Sequence, residues 1–340
     1  MFKKVTILLL SLFLMKSIWS APSPAYYSES ADVFELMDHM SLWHPSLSRD
    51  YIRAWSKRFT LSSEDKNYLS EYKKMRQRYH KAVGEGSDLF GEMPIGYDRF
   101  SKAFYSSQSV AEALRKLEKN NVRKDDIIFI KRFYKHFQKS IIVFMKESSQ
   151  FQVNMFALNK KWSSEKLKPY IKKMTKFLLG KKGSKIKIVM RPVWLPKGSE
   201  PRVDLRGPYL ILRAHPLDTK YSWDPKRLLM HSVWALIHGQ PKKQRNNLTK
   251  QFKGRCAGRD REFRGAIDIV FTKMLPEYTK SKKTFDLYKK WGGSYFEDLY
   301  SKLLFPLAGK EMKSKSGFSG RFFTEASNIC YDLNRLAIAP

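Results

Sequence analysis

Cysteine and acidic side chains are what this 340-residue chain has least of. Two cysteines exclude a scaffold of several disulfides and an all-cysteine zinc site. Only 32 acidic residues face 65 basic ones, leaving a net charge of +33. A field of that sign attracts polyanions such as nucleic acid, acidic lipid headgroups or acidic envelope polymers, and says nothing of fold. No long apolar run follows the N-terminus, and no internal repeat or low-complexity tract is present. Also missing are a P-loop, a glycine-rich dinucleotide fingerprint and the G-x-S-x-G elbow of serine hydrolases. No dedicated nucleic-acid motif accompanies the charge: there is no RNP-type aromatic sheet, Cys/His finger or helix-turn-helix pattern. What the chain does have is 42% hydrophobic and 14% aromatic residues, enough for a sizeable core and contrary to intrinsic disorder.

Residues 1–20 read as a signal peptide. Lys3 and Lys4 form a basic start, Val5–Met15 is an apolar stretch, and Ser20 and Ala21 offer a cleavage point. The stretch is short for a bilayer core of roughly 30 Å. An uncleaved anchor is the alternative, opposed by Lys16. No cysteine near the junction could carry a lipid. The expectation is an exported protein, periplasmic or extracellular, with no transmembrane segment in the mature chain. Losing Lys3, Lys4 and Lys16 lowers +33 only to +30, so the charge belongs to the mature protein. In an oxidising compartment Cys256 and Cys330 could pair, stabilising by roughly 4 kcal/mol in the chain-entropy model. Two buried free thiols are an equal alternative, and a nucleophilic cysteine is a poor third because spacing reveals no partner.

Periodicity divides the remainder into a helical region over 21–160 and an α+β region over 161–340; the fold class expected is α+β, predominantly helical. Helices are expected over Ala31–Met40, around Tyr51–Phe59, from Ser62 to about His80, after Ser109 with Glu112 as a capping box, and over Val122–Glu147. A basic, linker-like stretch follows Lys160, and Gly180-Lys181-Lys182-Gly183 marks a change of period. Lys185–Met190 and Tyr209–Arg213 read as strands, with Val193-Trp194-Leu195 confined by Pro192 and Pro196 to an edge or a turn. Asp224-Pro225 starts a helix that ends at Gly239. Further helices fit Lys242–Phe252, Arg261–Leu275, Phe285–Trp291, Tyr295–Leu304 and Arg321–Leu336.

One constellation bears on chemistry. A short sheet whose last strand feeds a histidine-bearing helix is the layout of zincin metallopeptidases, where HExxH sets two imidazoles one turn apart around zinc, with a glutamate as general base. Here the helix reads LLMHSVWALIHGQP. His231 takes the first ligand position, Ser232 replaces the glutamate and Ala235 the second histidine. His238 lies seven residues on, about 10 Å along the axis, too far to complete a tetrahedral site with His231. It suits the helix's last turn and its dipole. Residues 185–247 resemble the strand–strand–helix core of gluzincin-type, peptidase-like proteins exported by bacteria, with Gly239-Gln240-Pro241 and Leu248 fitting the continuation. Tyr300–Pro306 with Gly317 and Phe318, and Val33-Phe34, Leu42-Trp43, Tyr51, Trp55 and Phe104-Tyr105, are similar in layout to the family's flanking helices. The resemblance implies a third ligand on a later helix. Apolar register puts Arg264 or Gly265 there, with Glu262 and Asp268 out of register. It therefore implies a degenerate member with no catalytic residue, no metal beyond the vestigial position His231, and no cofactor. The competing reading is a helical protein in which His231 is an ordinary, partly buried histidine.

The positive charge falls in two runs. Lys172, Lys173, Lys176, Lys181, Lys182, Lys185 and Lys187 form one; Lys242, Lys243, Arg245, Lys250, Lys253, Arg255, Arg259, Arg261 and Arg264 form the other. Lys172, Lys173, Lys181, Lys182, Lys242, Lys243 and Arg245 are the anion-binding candidates, on the ground that clustered cations release counterions from a polyanion. A merely solvated surface is the alternative. The function expected is non-enzymatic binding of an acidic macromolecule or envelope surface. The rivals are an active hydrolase with an atypical site drawn from His215, Asp218, His231 or Glu262, and a basic nucleic-acid binder.

Overall fold

A computed structural model describes residues 27–44, 47–80, 87–88, 91–92, 97–164, 167–183, 189–218, 223–238, 246, 249–250, 252, 255–256, 258–280, 286, 288–313 and 320–338. The leader expected over 1–20 lies outside them. Among the described residues no helix is long and apolar enough to cross a membrane.

The fold is α+β and predominantly helical. Helix α1 (Glu29–Ser41) is its axle. Ser28 caps it, the hydroxyl accepting from Ala31 N at 3.1 Å, and nearly every one of its side chains is buried. Around it pack α2 (Asp50–Ser56), α3 (Ser63–Tyr79), α4 (Arg99–Tyr105), α5 (Val110–Glu118) and α6 (Lys124–Ser148). Ser62 and Asp65 close a reciprocal capping box on α3. At α5 Ser109 accepts from Glu112 N, while the Glu112 carboxylate takes Gln108 N instead of completing the box. A two-residue pair, β1 (Ser87–Asp88) and β2 (Gly91–Glu92), lies between α3 and α4. Helix α6 is long because its apolar phase never breaks: Phe129, Phe133, Phe137, Ile141 and Phe144 all turn inward. Each such burial is worth about 1.5–3 kcal/mol.

The basic stretch after Lys160 is not a linker. It is the end of α7 (Phe151–Ser164) followed by α8 (Leu167–Gly183), and α8 runs through the Gly180–Gly183 punctuation. Two glycines cost about 1 kcal/mol each in a helix, less than the inward face of Tyr170, Met174, Phe177 and Leu178 returns on burial. The division placed after residue 160 thus falls inside α7.

The sheet has strand order β3-β5-β4, with β3 (Val189–Trp194) parallel to β5 (Tyr209–Ala214) and β4 (Arg202–Arg206) antiparallel to it. Of the expected strand, Val189 and Met190 are described and lie in β3, which carries Pro192 within it, tolerable because β3 is an edge. Lys185–Ile188 lie outside the described residues. β4 was not anticipated, although Arg202–Arg206 precedes a two-residue Gly207-Pro208 turn; Gly207 sits at φ 57°, where a Cβ would meet the Tyr97 ring. The outer edge of β3 is sealed by α1 and α2. Trp194 N donates to Asp32, and Tyr51 OH donates to Trp194 O at 2.8 Å, so that edge is covered against strand addition.

Helix α9 (Pro225–His238) packs on β4 and α8. α10 (Asp260–Asp268) continues through a π-helical turn (Ile269–Met274) into α11 (Leu275–Lys280), longer than the expected Arg261–Leu275. α12 (Tyr295–Lys313) passes through Pro306 instead of stopping before it, and α13 (Gly320–Ile338) closes the chain. Of the expected helix over Phe285–Trp291, the residues described are not helical; of Lys242–Phe252, only 246, 249, 250 and 252 are described, and all are helical. Cys256 and Cys330 are joined as a disulfide, both buried, with Cα atoms 5.9 Å apart.

Candidate functional site

His231 stands in the middle of α9. Asp224 caps that helix, its carboxylate accepting from Arg227 N at 3.1 Å. The ring is partly buried, and its Nε2 is buried with no hydrogen-bond partner. Burial, and then the neighbouring Arg227, push its pKa down, so the ring is neutral at pH 7. Ser232 is buried, with its hydroxyl donated back to Leu228 O at 2.7 Å, which leaves no base at the glutamate position. Ala235 is buried in the apolar interior. His238 is the last residue of α9.

The carboxylate that a later helix turns toward α9 is Asp268, which apolar register had set aside. Trp234 Nε1 donates to its Oδ1 at 2.9 Å, and burial raises its pKa. Arg264 and Gly265 do not fill that place. Gly265 instead accommodates the Glu297 side chain, which a Cβ there would strike. Asp268 ends α10 three residues beyond Gly265 and before the π turn begins, so it lies on nearly the same helix face one turn further on.

The other metal candidates are dispersed. His215 follows β5, with Nε2 3.7 Å from the Glu147 carboxylate, Nδ1 accepting from Leu217 N, and Asp218 close by on the same turn. Burial lowers its pKa although Glu147 and Asp218 oppose this. Glu262 pairs with Arg259 at 3.0 Å. Among the described residues no group of three or more His, Cys, Asp or Glu side chains is placed to hold one ion.

Sequence reasoning missed a buried polar cluster on α1. Asp32, Glu35 and Asp38 recur every three residues on α1, amid Val33, Phe34, Leu36, Met37 and Met40, and all are buried. Arg213 on β5 holds Glu35 through Nε at 2.8 Å and Nη2 at 2.7 Å, and donates from Nη1 to Asp204 on β4. Tyr105 OH also donates to Glu35. Burial alone would raise Glu35, but Arg213 and then His39 outweigh it and hold the carboxyl well below its usual range. The same contest, won by Arg213 and Arg206, leaves Asp204 at about 2. Asp38 accepts from Arg76 Nε and Nη2 at 2.9 and 3.0 Å and from Tyr72 OH at 2.7 Å, while Arg76 Nη1 reaches Asp98. Among the described residues Asp32 has no cationic partner. It accepts from Trp194 N, from Ser148 Oγ at 2.6 Å and from Tyr27 OH at 3.2 Å, and burial raises its pKa to about 7. These groups clasp α1 to the sheet and to its helical neighbours. The visible signal was the period-three acids inside an otherwise apolar helix: buried carboxylates demand partners.

The anion-binding candidates divide by position. Lys172 and Lys173, with Lys176, are exposed on α8. Lys181 and Lys182 lie on its last turn. Lys242, Lys243 and Arg245 lie outside the described residues. Of the second run, Lys250, Arg255 and Arg261 are exposed, and Arg259 is engaged by Glu262 and Asn334. No family model, curated protein or solved structure matches this chain.

Proposed function

We propose that this chain is an exported, non-catalytic protein, built on a degenerate metallopeptidase-like scaffold, that binds an acidic partner or envelope component. One observation carries the binding reading: α8 contains no acidic residue and turns Lys172, Lys173 and Lys176 to solvent. Cations concentrated on one helix face release counterions together when they meet a polyanion, which makes binding strong at low salt and steeply salt-dependent. The non-catalytic part is supported by the groups at the positions of a base and second ligand. A hydroxyl tied to Leu228 O and a buried methyl neither activate water nor hold a cation.

The test is retention of the purified mature protein on heparin, with metal analysis of the same sample. Elution well above physiological salt is expected, shifting to markedly lower salt in the triple variant K172E/K173E/K176E. Elution of the wild type at low salt overturns the binding reading. Stoichiometric zinc overturns the non-catalytic one.

A further inference from the structure

Helix α7 is apolar on both sides, which a helix at a protein surface should not be. Phe151, Met155, Leu158 and Trp162 face the core. On the opposite side Val153 is 60% exposed and Phe156 72%. On the preceding helix α6, Ile142, 50% exposed, and Lys146 also point away from its buried face, as Lys160 and Lys161 on α7 point to solvent. All three lysines are exposed. Residues 148–164 contain no acid. The acid just before them, Glu147, turns away from these side chains to accept from Trp194 Nε1 at 2.9 Å and Arg58 Nη2 at 2.6 Å.

We infer that these side chains dock onto an anionic phospholipid surface, with Phe156, Val153 and Ile142 entering the headgroup–acyl boundary and Lys146, Lys160 and Lys161 meeting lipid phosphates. The inference rests on the anion-binding reading above and names its partner. Two features select lipid over a soluble polyanion. A polysaccharide or nucleic acid would use the lysines but would leave isoleucine, valine and phenylalanine side chains in water, whereas a bilayer surface takes both at once. Lysine stems can lie along apolar surface while their ammonium groups stay among the headgroups. An apolar protein partner would have to bring acids to match every lysine, while an anionic leaflet presents negative charge at all positions.

The experiment is co-sedimentation of the mature, disulfide-bonded protein with vesicles of phosphatidylcholine containing about a third phosphatidylglycerol, or of phosphatidylcholine alone. The wild type is expected to partition at least about tenfold more strongly onto the anionic vesicles. The double variant V153S/F156S alters only exposed side chains. It is expected to lose about tenfold in vesicle partition while keeping its heparin elution position, because burial of those side chains serves only the bilayer. Heparin retention without vesicle binding overturns the lipid docking and leaves the anion-binding reading standing. Failure of both overturns both. Full vesicle affinity in V153S/F156S also overturns the inference, as does a dimer in sedimentation equilibrium that V153S/F156S dissociates while vesicles remain unbound.

Discussion

Replacing Arg213 by alanine isolates the electrostatics of the buried clasp. The guanidinium side chain is 6% exposed and Glu35 4%, and Arg213 provides Glu35 with two hydrogen bonds and its closest positive charge. Truncation leaves that carboxylate buried beside Tyr105 and a neutral His39, whose pKa burial holds down. Asp204 is 30% exposed and keeps Arg206 at 3.5 Å, so its share of the loss is smaller. Removing one partner of a buried pair costs about 3–5 kcal/mol, a large part of the 5–15 kcal/mol by which most domains are stable. Urea titrations followed by far-ultraviolet circular dichroism at pH 7 would read this directly. The pH dependence gives a sharper readout. In the wild type the folded pKa values of Glu35 and Asp204 lie below their unfolded values. The stability they contribute is therefore complete above the unfolded values, near 4, and lost as pH falls toward about 2, where Asp204 titrates in the folded state. In R213A desolvation dominates and raises Glu35 above its unfolded value, so the variant gains stability as pH falls toward that unfolded value, where the wild type gains nothing from this pair. The gap between the two proteins should narrow on acidification. A loss under about 1 kcal/mol at pH 7, or a gap unchanged between pH 7 and 4, would refute the clasp.

Two further outcomes concern the covalent and backbone constraints. Titration of denatured, unreduced protein should find no free thiol, and C330S should lose about 4 kcal/mol for opening a closure 74 residues in span; two reactive thiols in the unreduced protein would refute the bond. G207A should be destabilised by about 2–3 kcal/mol, combining a left-handed backbone cost of roughly 1–2 kcal/mol with displacement of the Tyr97 ring, whereas G198A, at φ 84° in open space, should show the backbone cost alone. Equal melting shifts in the two variants would remove Tyr97 from the explanation.

Helices were legible wherever an apolar stripe met a cap, as at Ser62 before α3 or Asp224 before α9, because both signals are local. They were misjudged where punctuation and packing disagreed. Gly180–Gly183 read as a change of period and the expected helix ended at Leu304, yet α8 extends to Gly183 and α12 passes through Pro306, since inward faces built by Tyr170 and Phe177 on α8, and by Tyr300 and Leu304 on α12, outweigh the local penalty. At the candidate site, the emptiness of the Ser232 and Ala235 positions could be read residue by residue. That Asp268 is the acid facing α9 could not, because which turn of α10 meets Trp234 is set by how the two helices pack and not by local pattern.

The sequence by itself determined the helices marked by a cap and an apolar stripe, where the excess of positive charge lies, and which chemical groups occupy the positions around His231. These depend on neighbours a few residues apart, or on residue identity alone. Only the tertiary structure decided that Asp32, Glu35 and Asp38 meet Trp194, Arg213 and Arg76, partners 162, 178 and 38 residues away. It also decided that Phe156 is left in water while Phe151, one turn and a half earlier, is buried. Pairing a buried charge and choosing which side of an apolar helix is covered are properties of the whole packed chain, and no local pattern contains them.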